Sequence, residues 1–239
     1  MDSNHRWPKS LPPLTLQQQE INDDFVKYWH EVLPRRFGFV DRFNHLYPVK
    51  HAPLSFLNTL EVGAGLGEHL QYEKLSSAQL SNYVAVDIRQ NMIDELRKRY
   101  PQVVGIVADC QERLPYVTDH FDRVLAIHVL EHLPNLPAAV KELHRVCHKD
   151  HGILSIVIPC EGSLAYLLAR RISAQRIFEK RYKQSYRWFI EREHLSRPFE
   201  IFEELAPYFE MDSSSYFPLP VKAAFCNLCI GATLRPRVL

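Results

Sequence analysis

From residue 57 onward, short apolar runs alternate with stretches patterned at helical spacing. The runs are LNTLEV (57–62), NYVAVD (82–87), VVGIVA (103–108), FDRVLAI (121–127) and GILSIVI (152–158). They are continuous in Val, Ile and Leu rather than alternating, which predicts strands buried on both faces of a parallel sheet. Helices are predicted between them at 66–76, 90–100 and 136–147. For the last of these Asn135 is placed as N-cap, with Leu136, Val140 and Leu143 on the buried face. Residues 163–206 read as a helical insertion. MDSSSYF (211–217) and AFCNLCIGATL (224–234) read as a closing pair of strands. Before the alternation, residues 1–14 are polar, proline-bearing and tail-like. Thr15 and Gln18 form a capping-box pattern that opens a helix striped by Ile21, Phe25, Tyr28, Trp29 and Val32. An aromatic-rich piece, RRFGFVDRFNHLYP (35–48), follows. The expected division is a tail and helical cap over 1–52 and one α/β domain over 53–239, with 163–206 inserted in it.

Composition narrows this little. A chain of 239 residues accommodates one such domain with an appendage. With 46% hydrophobic and 24% charged residues the chain is globular rather than disordered. A net charge of +1 gives no electrostatic case for nucleic-acid binding, and none is expected. No apolar run reaches the ~18 residues that a bilayer span needs. Five cysteines, with no charged-then-apolar leader, predict a reducing, cytoplasmic setting. Cys226 and Cys229 form a CxxC without a second Cys/His pair at zinc spacing, and are read as core residues.

The chemistry concentrates in LEVGAGLG (60–67). Glu61 nears the end of the first apolar run, and glycine then occupies 63, 65 and 67. A strand turning sharply under a bound molecule needs residues that take positive φ and let backbone approach. Asp87 ends the next run twenty residues after Gly67. A glycine turn with an acid after the following strand is how doubly wound folds hold an adenosine. The spacing is GxGxG rather than GxGxxG, and Glu68 stands where a pyrophosphate would sit. A cationic sulfonium cofactor without phosphate tolerates that acid.

This set resembles the class I S-adenosylmethionine-dependent methyltransferases, specifically the type 11 group that includes ubiquinone- and menaquinone-biosynthesis-like enzymes. VADCQERLPY (107–116), FDRVLAIHVLEHLPN (121–135) and LHRVCHKDHGILSIVIP (143–159) follow in the family's order. The resemblance covers about residues 57–160, with KDHG (149–152) departing from the family's Lys-Pro-Gly-Gly type of turn. It implies a doubly wound, seven-stranded, mostly parallel Rossmann-like sheet whose last strand is antiparallel, and S-adenosylmethionine as cofactor. The implied cofactor-binding residues are Glu61, Gly63, Ala64, Gly65, Gly67, Asp87, Ile88, Met92, Asp109, Cys110 and His128. Within that set, Asp87 accepts both ribose hydroxyls, Ile88 and Met92 flank the adenine, and Asp109 takes the adenine amine. Glu61 fixes the turn or the cofactor's amino group. A generic helix-to-sheet contact explains Met92 nearly as well.

His128 follows the fourth run where the sheet edge opens toward the transferred methyl, and is a catalytic candidate beside a plainer role orienting the turn. Glu131 and His132, the family's "EH" pair, are expected to support the loop. His194 lies in a polar break between apolar pieces and is the candidate general base. No metal is expected, since nothing resembles the spaced acids of metal-dependent catechol-type enzymes. Acceptor choice is assigned to the insertion. Between 170 and 197 nine Lys/Arg face three acids, a local +6, leaving −5 elsewhere. One helical face would carry Arg176, Lys180, Lys183 and Arg187, and the opposite face Phe178, Tyr182, Tyr186 and Phe189. That face is either merely solvated or attracts an anionic acceptor, small-molecule or lipid-like, with peripheral membrane contact allowed. Residues 15–52 either lie over the cofactor's edge or pack on the sheet's flank. The competing functions are a nicotinamide-dependent oxidoreductase and a non-catalytic S-adenosylmethionine-binding regulator.

Overall fold

The structure, a computed structural model, describes residues 6–36 and 38–239, with side chains in the first helix described only as far as residue 28. Seven strands form one sheet: β1 (Thr59–Val62), β2 (Tyr83–Asp87), β3 (Val104–Val107), β4 (Arg123–Ile127), β5 (Ile153–Pro159), β6 (Phe209–Phe217) and β7 (Cys229–Pro236). Their order is β3-β2-β1-β4-β5-β7-β6. Strands β1 to β5 pair in parallel, and β7 runs antiparallel to both of its neighbours. The order reverses between β1 and β4, and the crevice beyond their carboxyl ends is where such folds bind ligands.

The helices are α1 (Leu16–Arg36), α2 (Gly38–Lys50), α3 (Ser77–Ser81), α4 (Gln90–Arg99), α5 (Leu136–Val146), α6 (Leu164–Ile172), α7 (Ala174–Tyr182), α8 (Arg187–Glu193) and α9 (Pro198–Leu205). Successive strand residues point to opposite faces. On one face Leu60, Val62, Val124, Ala126 and Ile156 meet Leu136, Val140 and Leu143 of α5 and Ile201 and Leu205 of α9. The tail of the expected insertion therefore belongs to the core layer: α9 completes the sheet's cover, and only α6 to α8 project from it. On the other face Leu96 of α4 packs near Tyr83, Ala85 and Leu125. There α2 lays Tyr47 against Val157 and Cys229. A methyl group on Gly231 would stand 2.4 Å from the Tyr47 ring, so glycine is what lets α2 sit directly on β7.

The Thr15–Gln18 capping box forms, with the Gln18 N–H donating to Thr15 Oγ1 at 3.2 Å. Ile21 and Phe25 are buried against Phe178, Tyr186 and Phe189. Trp29 and Val32 of the predicted stripe lie outside the described side chains. Asn135 precedes α5, but its side chain makes no capping bond; its N–H donates instead to Gln111 Oε1 at 2.7 Å.

The helix predicted at 66–76 does not form. A single 3-10 turn (His69–Gln71) follows the glycines, and α3 starts later under a Ser76–Gln79 capping box. The reason is a charge in the sheet. Arg123 of β4 has no exposed surface, and its Nη1 meets Glu73 Oε1 at 2.6 Å while Nη2 donates to the Pro48 carbonyl at 3.1 Å. Glu73 also holds His69 Nε2 at 2.7 Å. The segment after the glycine turn thus delivers polar side chains to Arg123 rather than an apolar helical stripe to the sheet. The predicted continuous basic face also breaks. Lys183 ends α7 with φ +56°, which puts Lys183 and Arg187 off the α7 face carrying Arg176 and Lys180.

Candidate active site

A cavity of about 740 Å³ opens beyond the carboxyl ends of β1, β2 and β4. Glu61, Gly63, Ala64, Gly65, Asp87, Ile88, Asp109, Cys110 and His128 of the predicted set line it; Gly67 and Met92 do not. Gly67, at φ +81°, is structural, for a methyl group there would stand 2.8 Å from the Tyr100 ring. Met92 falls within the first turn of α4, behind Ile88 and Arg89, which take the cavity wall instead. Asp41, Asn44 and His45 of α2 close the opposite side. The cap thus buries Tyr47 on the sheet and also lines this cavity.

Gly63 makes the turn possible: at φ +65° it passes under Val129, where a methyl group would stand 2.3 Å from Cγ2. Gly65 then donates its N–H to Asp87 Oδ2 at 3.0 Å. Arg89, which sequence reasoning missed, forks onto Asp87, with Nε to Oδ1 at 3.0 Å and Nη2 to Oδ2 at 3.2 Å. Burial would raise the Asp87 pKa, but Arg89 and the backbone N–H groups hold it below the usual carboxylate range. A ribose can use both oxygens only if Arg89 swings away. Asp87→Ala should therefore weaken binding of S-adenosylhomocysteine by about tenfold or more, whereas Arg89→Leu should strengthen it several-fold. Calorimetry decides: weaker binding in both variants would mean that Arg89 is itself a ligand.

Glu61 is buried, accepts the Tyr83 hydroxyl at 2.7 Å, and has its pKa pushed up by burial to about 8. A cationic ligand group beside it requires the ionised form. Below the folded pKa, binding must strip a proton, so affinity for S-adenosylhomocysteine should climb by up to about tenfold per pH unit until about pH 8 and then level. Glu61→Gln should remove this component. Equal pH slopes in the two proteins would show that the carboxyl does not face the cation. Asp109 is held by Gln111, whose N–H and Nε2 donate to Oδ1 at 2.9 and 3.0 Å. Burial pushes the Cys110 thiol up to about 12.

A second cavity of about 890 Å³ adjoins the first and shares Val26, Asn44, His128, His132 and Glu193 with it. Its walls come from α6, α7 and α8: Tyr166, Ile172, Ile177, Tyr186 and Phe189, with Arg170, Arg176 and Lys180 among them. Both histidines singled out from sequence stand here. His128, at φ +53°, places Nδ1 2.9 Å from Glu131 Oε1. Burial lowers the pKa of His128, but contacts with Cys229 and Glu131 outweigh it and carry the value up to about 10. The Glu131 carboxylate thus favours the protonated, hydrogen-bond-donating form of His128. His194 rests Nδ1 on Glu161 Oε2 at 2.8 Å. Glu161, also missed, stands two residues after β5; an acid just past a strand end was its only signal.

A bound nucleoside fits the first cavity better if it is cationic than if it carries phosphate. Asp41, Glu68, Asp87, Asp109 and Glu193 line it against Arg89 and Arg192, and Glu68 Oε2 already takes the Leu66 N–H of the turn at 2.9 Å. That carboxylate would repel a dinucleotide's phosphates.

Comparison with known proteins agrees. Residues 60–156 match the family model of the type 11 Methyltransferase domain. A curated relative, the biotin biosynthesis bifunctional protein BioHC of Cellvibrio japonicus, is 28% identical over 95 residues, 40% of this chain and 18% of that protein. The chain thus spans less than a fifth of that relative's length. Among solved structures, a TehB-like SAM-dependent methyltransferase from Corynebacterium glutamicum has a TM-score of 0.58 at 15% identity, over 90% of this chain and 98% of that one. A SAM-dependent methyltransferase from Thermotoga maritima scores 0.60 at 18% identity, over 90% and 98%. A Pyrococcus horikoshii protein scores 0.61 at 16%, over 88% and 99%. The sheet order and the cavity above the glycine turn are those of the Rossmann-like methyltransferase fold that these solved structures share. The sequence match to a methyltransferase domain lies in residues 60–156, which hold the glycine turn and Asp87, and the solved neighbours of this fold include SAM-dependent methyltransferases.

Proposed function

We propose that the chain methylates a small-molecule or lipid-like acceptor, carrying an anionic group, that occupies the second cavity. The observation behind this reading is that an acid-rich cavity and a largely apolar one meet at His128, His132 and Glu193. S-adenosylmethionine, when bound, supplies a methyl group on a positively charged sulfur that departs as a neutral thioether. The chain's own contribution is placement and one proton transfer. The glycine turn, Glu61 and Asp87 would fix the donor side. Tyr166, Tyr186 and Phe189 would hold the acceptor's body. The Glu161 carboxylate keeps the His194 proton on Nδ1, leaving Nε2 to accept a proton from the acceptor's O–H or N–H as its lone pair takes the methyl.

The anionic preference rests on Arg176 and Lys180, which make no ion pair among the described residues, whereas Arg170 is paired with Glu161 at 2.7 Å. The lipid-like option rests on α6, which leaves Leu164, Leu168 and Ile172 exposed near the cavity, with Ile172 also lining it. Among the described residues no helix is long and apolar enough to cross a membrane. All five cysteines are unpaired, which suits a reducing, cytoplasmic setting.

The test is a labelled-methyl assay over paired anionic and neutral acceptors. Arg176→Glu with Lys180→Glu should raise KM for anionic acceptors by about tenfold and flatten its salt dependence. Neutral partners should be unaffected. A neutral acceptor preferred by the unmodified chain would overturn the anionic reading.

A further inference from the structure

Where the two cavities join, the described residues bring together a donor set that methyl transfer alone does not call for. Glu131, His132 and His194 each offer a ligand atom, and the three atoms lie within 4.8 Å of one another. We propose that these three residues bind one divalent first-row transition-metal ion, zinc foremost.

Four observations carry this. First, the Glu131 side chain has no exposed surface, lines the second cavity, and commits only Oε1, to His128; Oε2 has no partner among the described residues. A buried carboxylate oxygen without a donor is costly, and a cation satisfies it. Second, both histidines are held from behind. His132 Nδ1 rests on the Glu193 carbonyl, and His194 Nδ1 on the Glu161 carboxylate at 2.8 Å. An imidazole whose Nδ1–H is given to a carbonyl or carboxylate presents Nε2 as a fixed, basic ligand. Third, the two ligand segments are tied together: the N–H groups of Leu195 and Ser196 both donate to the Glu131 carbonyl, at 2.7 and 3.0 Å. Fourth, two imidazoles and one carboxylate leave coordination positions open and suit zinc or iron, not the oxygen-only preference of magnesium or calcium. Metal–ligand lengths of about 2.0–2.2 Å need donors no more than about twice that apart, so a small side-chain rotation seats the ion.

The ion's role rests on the proposed methyl transfer. An acceptor hydroxyl at an open position loses its proton to solvent more readily. Its oxygen then takes the methyl as the carbon–sulfur bond breaks and the electron pair stays on sulfur. With the ion in place His194 is a ligand rather than the base.

The full chain, stripped with chelator and dialysed, is titrated with Zn²⁺ by calorimetry and with Co²⁺ by visible absorption. One equivalent should bind, with Co²⁺ showing d–d bands of a nitrogen- and oxygen-ligated ion and no thiolate charge-transfer band. His194→Ala, on the cavity wall, and Glu131→Gln should each weaken binding by at least about tenfold. Glu161→Gln, a positioning change, should weaken it by about tenfold to a hundredfold, and Cys226→Ser should leave it unchanged. Circular dichroism melts confirm that each variant folds. No stoichiometric binding, or binding that survives His194→Ala, or binding lost in Cys226→Ser, overturns the inference. S-adenosylhomocysteine is titrated into the metal-free chain in parallel. If it binds while zinc does not, the metal site fails and the methyltransferase reading stands.

Discussion

Glu73→Ala is expected to destabilise the chain by about 3–5 kcal/mol, because it leaves a buried guanidinium without its counter-ion. The Arg123 side chain has no exposed surface and that of Glu73 is 5% exposed. Burial would raise the Glu73 pKa, yet His69 and Arg123 outweigh it and keep the carboxyl below its usual range. Within the variant, Arg123 would keep the Pro48 carbonyl and the Phe56 ring, 5.1 Å from its guanidinium carbon, neither of which carries charge. Glu61 is the next acid in electrostatic reach of Arg123, so part of the loss should be recovered by its ionisation. Two measurements check this. Urea unfolding should show a lower midpoint with a near-constant slope. The paired change Arg123→Met with Glu73→Leu should be far milder than Glu73→Ala alone, since a well-packed apolar pair can replace a buried ion pair. A single variant losing under about 1 kcal/mol, or a pair as damaged as the single, would show that the network is not a stability element.

That network also shows why some of the architecture was legible in the sequence and some was not. The five parallel strands were readable because each is a short run dominated by Val, Ile, Leu and Ala, and Asp87 and the glycines were readable because they sit at the ends of those runs. Arg123, in the middle of FDRVLAI, was the visible warning that one face is polar. What the warning could not give was its partner, because Glu73 is fifty residues away in the chain. Residues 66–76 pattern as a helix in the sequence, but the sheet they meet presents a charge. Lys183 misled differently. A lysine in the left-handed region carries no compositional signal, so the basic face looked continuous across a break. The fork of Arg89 onto Asp87 spans two residues and was within reach of inspection. Its competition with a ribose is a question of geometry alone. The meeting of Glu131 with His194 depends on the 194–196 segment returning to the turn after β4, which no local pattern encodes.

Gly63→Ala should abolish most cofactor binding while leaving a folded chain, and it is the most direct test of how the first cavity works. Two costs combine. An alanine at φ +65° pays about 1–2 kcal/mol for the left-handed conformation. Its methyl group must also displace Val129, whose Cγ2 would be 2.3 Å away, and overpacking of this kind costs about 1–3 kcal/mol. Val129 is the neighbour of His128 and sits just before the 3-10 turn (Leu130–His132), so the displacement moves both cavity walls at their junction. S-adenosylhomocysteine affinity should fall by about a hundredfold, the equivalent of about 2.7 kcal/mol. The double variant Gly63→Ala with Val129→Ala separates the two costs: removing the valine side chain relieves the clash but not the backbone strain. Partial recovery, to within about tenfold of the unmodified chain, is the expected result. Full recovery would mean that positive φ at position 63 is inexpensive here. No recovery would mean that the backbone turn itself, rather than the room beneath Val129, is what holds the nucleoside.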